Sequence, residues 1–212
     1  NSSPADPERM SAWDLHREIV SKIEQEQSLN PRSERLIGPL TSIARLHQES
    51  GDYVPAAAAI ERAVQLVRVN FGLHSLDQAP LLRLWIANEE ARGNLAAAWD
   101  FEQELLALVR RHPDDLRTVP ILREVAARRI DVLNRYLNGE YPPQITACLY
   151  DESHEKGESC TNWGRLDVIT TVLSAAMEFY ASAIAVLLRN EQYSSAELRE
   201  LETELVRSLD LP

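Results

Sequence analysis

A chain of 212 residues with a net charge of −11 can bury a core of its own, but it is too acidic to grip a phosphate backbone nonspecifically. Its 44% hydrophobic and 26% charged residues exclude a disordered polymer, and an Ala-, Leu-, Glu- and Arg-rich composition with seven glycines favours helix almost throughout. A pI near 5.0 disfavours attachment to membrane surfaces through basic residues, and no uninterrupted apolar run reaches the length of a bilayer span, so neither nucleic acid nor direct membrane insertion is expected.

The opening NSSPADPERM reads as a processed start, with residues 1–9 expected to be disordered and a leader expected to have been removed. Leu15, Ile19 and Ile23 then recur at spacing four and predict a helix over roughly 9–28. Three segments of one design follow: NPRSERLIGPLTSIARLHQESGDY, HSLDQAPLLRLWIANEEARGNL and HPDDLRTVPILREVAARRIDVLNRYLNGEY. In each, a polar linker leads into a proline and aliphatics that open a helix, and a glycine closes it. Pro39, Pro80 and Pro120 lie 41 and 40 residues apart, and Gly51, Gly93 and Gly139 lie 42 and 46 apart, which is the period of stacked helical repeats.

Within a unit, the first helix (helix A) presents one apolar stripe and the second (helix B) another. The first unit pairs Leu40, Ile43, Ala44 and Leu46 with Ala56, Ile60, Ala63, Val64 and Val67, with Asp52 as a candidate cap of helix B. The second pairs Leu81, Leu82, Trp85 and Ile86 with Ala98, Phe101, Leu105 and Leu108, with Asp77 as a candidate cap of helix A. Here Glu102 stands where a large apolar residue is expected, beside Phe101. The third unit supports only a helix A, because Pro142-Pro143 interrupts the helix B that would follow.

The stretch ARLHQESGDYVPAAAAIERAV, with Ala44, Gly51, Tyr53, Ala56, Ile60 and Ala63 at the packing positions, resembles the tetratricopeptide repeat (TPR) in the longer form found in kinesin light chains. The resemblance covers about residues 10–140. It implies an all-α, right-handed solenoid of antiparallel helix pairs that binds a protein or peptide on the concave face lined by its A helices. It implies no enzymatic activity and no cofactor. Residues placed on that face are Thr41, Arg45, Gln48 and Glu49 from the first unit, Arg83, Ala87, Asn88 and Glu90 from the second, and Arg128, Arg129 and Arg135 from the third. Arginines against an acidic background suit a ligand of acidic character, since a guanidinium can hold a carboxylate through two parallel bonds. The competing reading has these stems covering helix surfaces. The two-carboxylate clamp of the family's chaperone-binding members is not reproduced at these positions.

Residues 141–165 have no helical period and hold both cysteines, Cys148 and Cys160. A disulfide would stabilise such a loop and place the protein in the periplasm or another extracytoplasmic compartment. Free thiols are one alternative, and a metal site using His154 with Asp151 or Glu152 is another, although C-x5-H-x5-C departs from common zinc spacings. A disulfide and no metal are the expectation. Residues 166–212 predict a long apolar-faced helix (about 166–189) and a shorter one (about 195–208) that cap the solenoid within the same domain.

No phosphate loop, nucleophile elbow or HExxH occurs, and His16, His47, His74, His112 and His154 are scattered. Glu89-Glu90 and Asp114-Asp115 read as solvated faces or caps. The expected function is therefore a binding scaffold. The alternatives are a homo-oligomerising module of a larger envelope protein and, behind it, a metal-binding or enzymatic helical domain.

Overall fold

A computed structural model describes residues 7–140, 142, 164–190 and 195–209, and among these residues there are eight α-helices and no strand. They are α1 (Pro7–Leu29), α2 (Ile37–Glu49), α3 (Tyr53–Phe71), α4 (Ala79–Ala91), α5 (Leu95–Arg111), α6 (Thr118–Leu137), α7 (Arg165–Arg189) and α8 (Ser195–Leu209). The all-α expectation holds. The chain falls into two compact units that divide between Leu108 and Val109, inside α5. Cys148, Cys160 and most of the loop carrying them lie outside the described residues.

The same local design opens three helices. Ser33 and Ser75 accept from the backbone N–H two residues on, at 3.2 Å each, and the Asp115 carboxylate does so at 2.9 Å. The carbonyls of these three residues each accept from the N–H three residues on. Side-chain oxygens thus satisfy donors that a helix start leaves orphaned. Asp77 is not the cap of α4: Ser75 caps the short 3-10 turn Leu76–Gln78 that precedes it, and the Ser75 hydroxyl donates to the Asp77 carboxylate at 2.8 Å. Asp52 likewise makes no capping bond to α3.

The same three helices also end alike. Gly51, Gly93 and Gly139 adopt φ of 78°, 74° and 87°, and each donates its N–H to a carbonyl three residues back. The next N–H, from Asp52, Asn94 or Glu140, reaches five residues back at 2.8–2.9 Å. This is the Schellman arrangement, in which a left-handed residue lets the chain turn back over the last helical carbonyls. Glycine occupies it because a Cβ there is strained even where space is open, as it is at all three sites.

Between these punctuation marks the core repeats with a period of 42. α2 and α4 begin at 37 and 79, and α3 and α5 at 53 and 95. Every buried residue of α3 (Ala56, Ile60, Ala63, Val64, Leu66, Val67) has a buried counterpart 42 positions later in α5: Ala98, Glu102, Leu105, Leu106, Leu108 and Val109. Glu102 thus takes the place of Ile60 and is itself buried, at 4% exposure. Beside it Phe101, the counterpart of Ala59, stacks on Trp85, the counterpart of Ile43, with ring centroids 4.0 Å apart. Two aromatic rings thus fill the space that Ile43 and Ala59 leave smaller in the first pair.

Ala56 shows what this register demands. It is fully buried where α3 packs on α2, whereas Ala58 two residues later is exposed. Ala56→Leu is expected to overpack the pair and cost about 1–3 kcal/mol, while Ala58→Leu stays within about 0.5 kcal/mol, as read from urea unfolding.

In the second unit α6 starts in register, with Leu122, Val125 and Ala126 buried where α4 has Leu82, Trp85 and Ile86. It runs for 20 residues against 13 in α2 and α4 before reaching its glycine. α7 packs along it and buries Val168, Val172 and Ala176, and α8 lies against α7 with Leu201 at 0% exposure. By length and composition α7 suffices for a bilayer span, with a mean hydropathy of 1.7 over its most apolar window and a third of that window buried. The sequence reading weighed unbroken apolar runs, and this helix reaches its average without one. Thr170, Thr171, Ser174, Ser182 and the single acid Glu178 interrupt the run, yet the average stays high.

Candidate functional site

The helix-A face proposed from sequence resolves into interior joints and exposed side chains. Gln48 donates to the Leu84 carbonyl at 3.0 Å and to the Asn88 side chain at 3.3 Å, and Asn88 donates to the Tyr53 carbonyl at 3.1 Å. Asn88 is fully buried, so it joins α2, α3 and α4 and lines no groove. Thr41 is half-buried and its hydroxyl donates to the Ile37 carbonyl at 2.7 Å. Arg45, Glu49, Arg83, Ala87 and Glu90 stand exposed. These five are what unit 1 retains of the expected face.

The three arginines expected from the third segment belong to unit 2 and have separate environments. Arg129 is 3% exposed with its guanidinium carbon 5.9 Å from the centroid of Phe179, a buried cation over a ring and not a ligand contact. Arg128 is half-buried, 3.5 Å from Glu124. Arg135 is exposed and bonds Glu140 at 2.6 Å, which holds its guanidinium above the usual range.

Sequence reasoning passed over Arg123, which occupies the position of Arg83 one segment on. It pairs with Glu200 at 3.1 Å and with Glu204, fixing α8 to α6, and those bonds hold it well above its ordinary pKa. Tyr180 nearby is buried, and that burial together with Glu204 pushes its hydroxyl up. It also passed over Gln78, fully buried, which accepts from Arg68 at 2.7 Å while Arg68 also pairs with Glu104. Glu89, read from sequence as solvated, is 3% exposed and forms the centre of the turn after α4. The signal available for it was the spacing in NEEARGN, which sets Arg92 and Asn94 three and five residues on.

The acidic pairs serve the fold. Asp114 bonds Arg189 at 2.7 Å, and Asp115 accepts from the backbone N–H of Arg117 in the turn before α6 while bonding the Arg117 side chain. Those bonds from Arg117 hold the Asp115 carboxyl below its ordinary value of 3.8. The folded state therefore favours the ionised form. Its contribution is full above that value and is lost as pH falls through the lower folded one. Asp115→Asn, which keeps a capping oxygen, is expected to cost about 0.5–1 kcal/mol at neutral pH and nothing once both states are protonated, as read from melting curves across acid pH. Among the described residues no group of three or more His, Cys, Asp or Glu side chains is placed to hold a metal.

No family model matches this chain, and no curated protein matches it. A functional reading therefore rests on its residues and their geometry.

Proposed function

We propose that the chain is a TPR-like right-handed α-solenoid serving as a non-enzymatic scaffold, and that the exposed face of its A helices takes a protein or peptide ligand of acidic character. The observation that supports this most is the 42-residue repetition of buried positions, which leaves Arg45 and Arg83 exposed on successive A helices of unit 1. Exposed arginines on a scaffold whose carboxylates outnumber its cations provide local charge complementarity and a salt-dependent on-rate.

Selection of peptides from a displayed random library against the immobilised chain tests the reading. Acidic sequences are expected, with affinity falling by at least about tenfold in the Arg45→Glu, Arg83→Glu variant. Selected peptides that ignore this double reversal would remove the A-helix face from the proposal. An extracytoplasmic location belongs to the same proposal and rests on a Cys148–Cys160 disulfide. Thiol alkylation without reductant, followed by mass measurement, is expected to leave both cysteines unmodified.

A further inference from the structure

Four of the eight large hydrophobic side chains exposed among the described residues, Leu29, Val69, Phe71 and Leu73, come from two short stretches. The Asn70 side chain donates to the Arg32 carbonyl at 3.0 Å, tying the turn after α1 to the end of α3 and setting both stretches at one end of unit 1. Leu29 is 75% exposed and Val69 63%, and an exposed apolar side chain that also lines a groove is where an interaction surface is sought.

A groove of about 410 Å³ opens there, with Pro31, Leu66 and Val69 as apolar lining and Arg32, Arg62 and Glu61 among the polar residues. Neither arginine has a carboxylate partner among the described residues. Arg62 faces the neutral Gln27 carboxamide, whose oxygen accepts from it at 3.0 and 3.2 Å once the amide is turned over. Two guanidiniums against the single carboxylate of Glu61 leave this partly apolar groove locally cationic in a chain of net charge −11.

We propose that this groove docks an acidic amphipathic peptide segment of a partner protein, seating an aliphatic side chain against Pro31, Leu66 and Val69 and carboxylates on Arg32 and Arg62. A second copy fits less well, because a two-fold contact would bring the same arginines against each other. Nucleic acid fits less well because two guanidiniums beside Glu61 supply no ladder of phosphate contacts. The surface is distinct from the Arg45 and Arg83 face, and the two are separable by mutation.

Fluorescence anisotropy of the full chain with a labelled leucine–glutamate peptide, and with its leucine–lysine twin, tests this. The glutamate peptide is expected to bind at least about tenfold more tightly, with the preference inverted by Arg32→Glu, Arg62→Glu and binding unchanged by Arg45→Glu, Arg83→Glu. Val69→Ser, at a groove side chain 63% exposed, is expected to weaken binding without altering the melting curve, which separates loss of the groove from loss of the fold. Equal binding of the twin peptides overturns the proposal, as does binding that survives the Arg32 and Arg62 reversal. Loss of binding on reversing Arg45 and Arg83 overturns it too, because the ligand then belongs to the A-helix face. A dilution-resistant dimer that Val69→Ser dissociates assigns the groove to a second copy and overturns it equally.

Discussion

Leu82→Ala is expected to destabilise the first unit by about 2–5 kcal/mol, the largest loss of any single truncation in α4. Leu82 has no exposed surface, and Leu81 and Ile86 on the same helix are 3% and 1% exposed, so no solvent route exists to relax the vacancy. The loss combines the transfer energy of the removed carbons with the cavity left behind, and apolar walls of this kind keep such a cavity dry. Leu82→Met, which conserves volume, is expected to cost less than about 1.5 kcal/mol. Leu40, at the same place in α2, is 5% exposed and has more room to adjust, so Leu40→Ala should fall nearer the lower end of the range. Urea unfolding reads all three, with an unchanged m-value as the sign that only native stability has moved. A loss under about 1 kcal/mol for Leu82→Ala would mean that the α3–α4 contact collapses around the gap, and the period of the core would then have no energetic meaning.

What was legible in the sequence were features set by backbone chemistry. Glycine at φ near 80° and proline in a first helical turn have few substitutes, so Gly51, Gly93 and Gly139 marked three helix ends correctly. Apolar stripes placed α7 and α8 to within a residue at each end, because tertiary packing there follows helical period. The capping residue was misassigned at Asp77, while Asp52 holds the N-cap position of α3 without a side-chain bond. Ser33 and Ser75 precede short 3-10 turns that delay each helix, and nothing in local propensity distinguishes that turn from the helix proper. The buried polar side chains were the least legible. Asn88, Gln78 and Arg129 look like surface residues because burial depends on partners brought from up to 50 positions away, such as Tyr53 for Asn88 and Phe179 for Arg129. The expected groove lost Asn88 and Arg129 for this reason, and the exposed Arg45 and Arg83 remained.

Glu89 carries the second large expected effect. At 3% exposure its carboxylate accepts from Arg92 at 2.9 and 3.0 Å, from Asn94 at 2.9 Å and from Asn88 at 3.2 Å, while its carbonyl accepts the Asn94 N–H that closes the Schellman turn. One buried anion thus links the end of α4 to the start of α5. Glu89→Ala removes several charge-assisted bonds together and is expected to cost about 2–4 kcal/mol. The loss stays below the full penalty for orphaning a buried charge because Arg92 is 35% exposed and can turn to water. Glu89→Gln keeps the shape but turns an amide donor toward the Arg92 or Asn94 donors, so isosterism is expected to recover only part of the loss. A double-mutant cycle with Arg92→Ala should return a coupling of about 1 kcal/mol or more, since the two side chains share one network. Glu90→Ala, at the exposed neighbour, is expected to change stability by less than about 0.5 kcal/mol. If the two glutamates respond alike, the buried network is not what fixes the turn, and the Gly93 backbone geometry alone sets the junction between α4 and α5.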